Sequence, residues 1–138
     1  MYVHGGGFVS LSSITMQSNT RRWANELRVP LFSIDYRKAP QFKFPTSVND
    51  CLASYEFITK YIHHYFNIRP KNVILVGDSA GGNFVCALEG LILKNDLLRP
   101  KGMLLAYPAV DLRKRYSPSR LNSFHDAVLL PTLLTMCL

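Results

Sequence analysis

The stretch from Val73 to Gly82 restricts this chain more than any other. Val73-Ile74-Leu75-Val76 is a continuous apolar run of strand type, and the segment from Ala80 to about residue 93 has helical character. Only Gly77, Asp78 and Ser79 separate the two. A strand that becomes a helix within three residues must bend sharply. Ser79 is thereby forced into a strained backbone conformation, with its hydroxyl held above the strand end. Glycines at 77, 81 and 82 let the neighbouring backbones approach with no Cβ in the way.

Strand and helix alternate on both sides of this bend. Tyr2-Val3 ends a strand that runs into His4-Gly5-Gly6-Gly7. Trp23, Ala24 and Leu27 predict a helix over residues 19–27; Pro30 breaks it, and Leu31-Phe32-Ser33-Ile34 reads as a short buried strand ending at Asp35. Residues 37–45 hold two prolines and no period, so they form a loop. Val48, Leu52, Tyr55, Ile58, Ile62 and Tyr65 then recur at steps of three and four, predicting one amphipathic helix over 46–66. A fourth strand is expected over 102–107, stopped by Pro108. Residues 111–120 are polar and irregular, and 127–138 form an apolar segment interrupted by Pro131. Strands alternating with helices imply βαβ units. The fold class is therefore α/β, with a central, mostly parallel sheet of about four strands flanked by helices.

Composition narrows the function classes. At 138 residues the chain is one domain, and 48% apolar with 18% charged residues excludes a disordered chain. No apolar run is long enough for a transmembrane helix, and the first residues lack the pattern of a secretory signal. Three widely spaced cysteines, Cys51, Cys86 and Cys137, fit neither a disulfide framework nor a zinc cluster. They fit a reducing compartment, so a cytoplasmic location is expected, with no metal and no cofactor. The net charge of +7 is spread along the chain, apart from Arg21-Arg22 and Arg113-Lys114-Arg115. No nucleic-acid motif accompanies it, so a solvated basic surface is expected and nucleic acid is not.

Two motifs carry chemistry. Gly77-Asp78-Ser79-Ala80-Gly81 fits G-x-S-x-G in its strand-to-helix setting, which places the Ala80 N–H at a helix start, directed at negative charge developing beside Ser79. His4-Gly5-Gly6-Gly7 is rarer, arising by chance in about one chain of this length in a thousand. Three glycines after a strand leave backbone N–H groups free to aim at an oxyanion. His4 reads as a hydrogen-bonder that shapes this loop. A phosphate cradle competes poorly, because neither G-x-G-x-x-G nor G-K-[ST] is present.

Together these motifs resemble the hormone-sensitive lipase family of α/β-hydrolases, which pairs an H-G-G-G loop with a G-D-S-A-G-G elbow. Asp35-Tyr36-Arg37-Lys38-Ala39-Pro40 with Phe44-Pro45 is similar to the family's D-Y-R-x-A-P loop, and Ala106-Tyr107-Pro108-Ala109 to its Y-P-A stretch. Ser117-Pro118-Ser119-Arg120-Leu121 and the apolar tail are closer to the family's namesake than to its bacterial esterases. The resemblance implies a partial α/β-hydrolase of fold-3 type and a carboxylic-ester hydrolase of lipid catabolism. Ser79 would be the nucleophile, and the oxyanion hole would be built from the N–H groups of Gly5, Gly6 and Ala80. His4, Gly7, Gly77, Asp78, Gly81 and Gly82 would support the motifs, with Asp78 bracing the elbow. It implies acylglycerols or other lipid or short-chain esters as substrates, with association to a lipid surface or droplet.

The pattern is incomplete. A serine nucleophile needs a histidine base and an orienting carboxylate, in the order Ser, Asp or Glu, His. The family's D-P-x-x-D and H-x-F segments are missing after Ser79. His125 is the only later histidine, and its neighbour Asp126 follows it, so that pair reads as structural; Asp111 is a weaker substitute acid. His63-His64 are expected at the surface. The expectation is a domain truncated at both ends and inactive alone. The alternative is a non-catalytic pseudo-hydrolase module that binds lipid or a protein partner.

Overall fold

The computed structural model describes residues 1–113, 118–126, 135 and 137. Its core is a four-stranded sheet of β1 (Tyr2–Val3), β2 (Ser33–Ile34), β3 (Ile74–Asp78) and β4 (Gly102–Ala106), in the spatial order β2-β1-β3-β4. Every neighbouring pair is parallel: Tyr2 stands between Ser33 and Val76, and Val76 between Tyr2 and Leu104. The helices are α1 (Gln17–Leu27), α2 (Thr46–Glu56), α3 (His63–Phe66), α4 (Ala80–Lys94) and α5 (Pro118–Asn122).

Parallel strands need crossovers, and right-handed crossovers fix which face each helix covers. From β1 the chain steps through α1 to β2 on one side, whereas from β3 it steps through α4 to β4 on the other. Side chains alternate along each strand, so Tyr2 faces α1, its ring edge-on to Trp23 at 6.0 Å, while Val3 and Leu75 join the core cluster on the opposite face. There Cys51 and Tyr55 of α2 pack with Val85, Leu88 and Ile92 of α4, all buried at steps of three and four. Ile74, Met103 and Leu104 remain exposed.

Several boundaries differ from the sequence expectation. The helix read over 46–66 is α2, a π-turn over Phe57–Tyr61 with Ile62 N–H on the Phe57 carbonyl at 2.9 Å, then α3. Only Ser33–Ile34 of the expected second strand pair in the ladder, although the Phe32 carbonyl still accepts from Tyr2 N–H at 2.8 Å. Within 111–120, which reads as irregular, α5 begins at Pro118. Ser117 and most of the apolar segment 127–138 lie outside the described residues. Among the described residues no helix is long and apolar enough to cross a membrane.

Candidate active site

The strand order reverses between β1 and β3. Loops leaving the C-terminal ends of two strands on either side of such a switch diverge and open a crevice, the usual ligand position in a doubly wound sheet. Here the two loops are the glycine run after β1 and the bend after β3.

The bend is strained at its tip. Ser79 has φ 52° and ψ −119°, a conformation that side-chain-bearing residues rarely adopt. It is held from both ends. The Ser79 N–H donates to the Ala106 carbonyl at 2.9 Å, and the Ser79 carbonyl accepts from Ala109 N–H at 3.0 Å and Asn83 N–H at 3.2 Å. Gly81 makes the close crossing possible, because a Cβ there would overlap the carbonyl oxygen of Val3. Ser79 is half-buried, and Ala80 is the first residue of α4, so its N–H has no intrahelical acceptor.

The glycine loop lies against this bend. A Cβ on Gly5 would sit 3.1 Å from the Ser79 Cβ and 2.6 Å from Asp78 Oδ2. The Gly5 N–H donates to Asp78 Oδ1 at 3.0 Å, and the Tyr2 hydroxyl donates to the same oxygen at 2.6 Å. Burial, followed by this hydrogen bond to Asp78, pushes the Tyr2 phenol above its ordinary range. On the far side of the loop, His4 Nδ1–H donates to the Gly5 carbonyl at 2.7 Å, and the Tyr36 hydroxyl donates to the His4 carbonyl at 2.8 Å. The His4 and Tyr36 rings stack at 4.4 Å. The carbonyl of Gly5 and the N–H of Gly6 belong to one trans peptide and point in opposite directions. Anchoring the carbonyl on His4 therefore turns the Gly6 N–H away from His4.

This arrangement alters the reading of the three expected oxyanion donors. Gly5, Gly6 and Ala80 all come to the same end of the sheet, but the Gly5 N–H is engaged by the Asp78 carboxylate. The Gly6 N–H makes no hydrogen bond to a described residue, which leaves Gly6 and Ala80 as the available pair. The sequence reading did not single out Tyr2 or Tyr36 as supports. Their only signals were a tyrosine two residues before the glycine loop and another beside Asp35.

No histidine among the described residues hydrogen-bonds the Ser79 hydroxyl. His4 is wholly buried. Its Nε2 lies 3.5 Å from Asp35 Oδ1, too far for a good hydrogen bond, and makes no hydrogen bond to a described residue. Burial, reinforced by Lys38 and opposed by the Gly5 hydrogen bond and Asp35, holds its pKa below the usual imidazole value. Asp111 accepts from Arg113 through both carboxylate oxygens, at 2.8 and 2.7 Å. His125 ends an exposed turn, followed by Asp126.

Beside the glycine loop is a cavity of about 420 Å³, within the range of small-molecule pockets. Phe8, Phe42, Phe44, Val48, Phe84 and Leu112 supply its apolar walls; Phe8 follows Gly7 directly and packs edge-on against Phe84 at 5.3 Å.

Residues 1–137 match a family model described as alpha/beta hydrolase fold. The chain is 36% identical to hormone-sensitive lipase of Mus musculus over 137 residues, which is 99% of this chain and 18% of the relative. It is 33% identical to human arylacetamide deacetylase-like 2, over 94% of this chain and 33% of that protein. Among solved structures, a hyperthermophilic esterase from the archaeon Pyrobaculum calidifontis superposes with a TM-score of 0.91 at 30% identity, covering 99% of this chain and 44% of the esterase. A thermophilic carboxylesterase from a metagenomic library superposes at 0.90, also with 30% identity, over 99% of this chain and 47% of its own. The chain thus spans about a fifth of the length of the lipase and under half of the esterases.

Proposed function

The chain belongs to the alpha/beta hydrolase fold family, of hormone-sensitive lipase type, and from that premise we propose that Ser79 is the nucleophile of an acyl-transfer site for lipid or short-chain esters. The observation that carries this reading is the strained Ser79 backbone in contact with the Gly5 loop. Ser79 Oγ attacks the ester carbonyl, the alcohol leaves, and water later releases the acid from the acyl-enzyme. The N–H groups of Gly6 and Ala80 receive the oxyanion, each worth about 2.7 to 4 kcal/mol in the transition state. Asp78, Tyr2, His4 and Tyr36 keep both loops in register. The apolar cavity beside Phe8 suits an acyl chain, and acylglycerols at a lipid surface are the substrates that the lipase relatives suggest.

The reaction also needs a base, and both nitrogens of His4 face other groups. Loss of the base lowers turnover by about a millionfold. This polypeptide alone is therefore expected to hydrolyse a p-nitrophenyl ester far below about one turnover per second. Faster turnover abolished by Ser79→Ala would overturn the inactivity but keep the nucleophile. A phosphonate ester that labels the protein at residues other than Ser79 would overturn the nucleophile itself.

The absence of a positioned base among the described residues favours a second reading, a pseudo-hydrolase module that binds lipid or a protein partner without turnover. It predicts ligand affinity that Ser79→Ala leaves unchanged.

A further inference from the structure

The cavity beside Phe8 carries a charge that the ester chemistry leaves unused. Its walls are largely apolar, yet Lys43 also lines it, and among the described residues no acid does. The loop of residues 37–45 holds Lys43 there. Ala39 N–H donates to the Phe8 carbonyl at 3.1 Å, Phe42 N–H to the Lys38 carbonyl at 3.0 Å, and Thr46 N–H to the Lys43 carbonyl at 3.0 Å. Lys43 is thus fixed between a tie to the glycine loop and the start of α2.

The other cations of this loop are neutralised in place. Arg37 donates to Asp50 from Nη2 at 2.7 Å and from Nε at 2.9 Å, and Lys38 Nζ donates to Asp35 Oδ1 at 2.9 Å. Lys43 pairs with no described acid. Of the uncharged polar side chains lining the cavity, Ser47 donates its hydroxyl to the Arg37 carbonyl at 2.6 Å, and Asn83 its amide to the Ala109 carbonyl at 2.8 Å. Among the described residues, the Lys43 ammonium is therefore the charged group left to meet a ligand, with three donors. Phe42 and Phe44, 43 and 85% exposed, flank it at the rim. The α4 wall begins one turn past the bend, where Asn83 N–H donates to the Ser79 carbonyl and Phe84 follows. The cavity thus adjoins both the Ser79 bend and a loop bearing a cation with no described partner.

We propose that Lys43 makes this cavity selective for esters whose acyl chain ends in a carboxylate, that is, monoesters of dicarboxylic acids. The proposal rests on the reading of Ser79 as the nucleophile whose acyl group this cavity holds. The methylenes of such a chain pack on Phe8, Val48 and Phe84, and its terminal carboxylate meets the ammonium at the rim. Keeping that charge at the rim avoids the cost of burying it. Lysine is a compact point charge on a flexible stem, which suits a single anionic group at the end of a chain. A phosphate, with more acceptor oxygens, calls for further donors, and Ser47 and Asn83 already direct theirs at main-chain carbonyls. Lys43 is exposed, so the attraction is modest and screened by salt.

The test compares binding of monomethyl adipate and methyl hexanoate, a charged and a neutral ester of equal acyl length, to the full chain. Saturation-transfer NMR titrations at about 0.02 M salt give both affinities. Monomethyl adipate is expected to bind about fivefold more tightly, the two esters should displace each other, and the preference should fade at about 1 M salt. Lys43→Met should bind both esters equally, Lys43→Arg should keep the preference, and Lys101→Met, just before β4, should leave it unchanged. Equal affinity of the original chain for both esters would overturn the proposal. So would a preference that survives in Lys43→Met or is also lost in Lys101→Met, or binding without mutual displacement. The outcome is separable from that at Ser79. Phosphonate labelling of other residues, with the Lys43-dependent preference intact, would remove the nucleophile alone. Labelling of Ser79 without the preference would remove only the role of Lys43.

Discussion

The Gly5 amide donates to the Asp78 carboxylate at 3.0 Å, and Asp78 is the residue before Ser79. Two loops far apart in sequence are thus joined by one carboxylate oxygen, which Tyr2 holds from β1. The bend at Ser79 and the glycine loop are therefore positioned relative to each other by a polar bridge as well as by packing. Any change to Asp78 alters both.

Removing that oxygen leaves two donors without an acceptor, on residues that are themselves buried. Asp78→Ala is expected to cost about 3 kcal/mol of stability, and Tyr2→Phe, which deletes one donor and leaves Gly5 paired, about 1.5 kcal/mol. Denaturant titration of Tyr2→Phe, Asp78→Asn and the double variant should show a non-additive cycle. Strict additivity would mean that the bridge has no energetic role.

Of the three glycines of α4, Gly81 and Gly90 make opposite predictions from the same substitution. An added Cβ at Gly81 meets backbone of β1 and its loop that cannot swing aside, so Gly81→Ala should cost about 3 kcal/mol. At Gly90 a Cβ meets nothing within 4 Å, so Gly90→Ala should gain about 0.5 to 1 kcal/mol from helix propensity. Thermal unfolding of both variants checks the pair, and a stabilised Gly81→Ala would contradict the close crossing.

Those glycines also show how far the sequence could be read. The run Val73–Val76, the bend and the following helix were legible because local chemistry sets them: a buried strand, a tight turn and an amphipathic period. The π-turn was not, because hydrophobic spacing reports which residues are apolar and not which carbonyl a given N–H chooses. Tyr65 fits the period yet lies in solvent, two residues before the helix ends at Asn67. In the candidate site, Ser79 and the glycine loop were visible as motifs. That Asp78 takes the Gly5 N–H was not, since it depends on the closeness of two loops across the sheet.

The buried imidazole of His4 gives a pH dependence with a definite sign. Its folded pKa is lowered, chiefly by burial, so the unfolded chain takes up the proton first as pH falls. Its contribution to stability is complete above the free imidazole value of about 6.5 and is lost as pH drops from there toward the lowered folded value. His4→Gln keeps a donor for the Gly5 carbonyl but cannot titrate. The difference in unfolding free energy between the original chain and His4→Gln should therefore shift against the original chain as pH falls below the free imidazole value of about 6.5. A difference that stays flat, or moves the other way because Asp35 captures a protonated ring, would reject the burial-dominated reading.

Backbone strain at Ser79 predicts that losing the hydroxyl and relieving the strain have different consequences. Ser79→Ala removes the oxygen but keeps a Cβ at φ 52°, so the strain persists. Ser79→Gly removes both. Relief of about 1 to 3 kcal/mol at such a backbone position outweighs the roughly 0.5 to 1 kcal/mol that glycine loses through the added freedom of the unfolded chain. Ser79→Gly should therefore be more stable than Ser79→Ala by about 1 kcal/mol, or about 3 °C in thermal midpoint for a domain of this size. If Ser79→Ala is the more stable of the two, the elbow is unstrained and the serine is not held there at a cost to the fold.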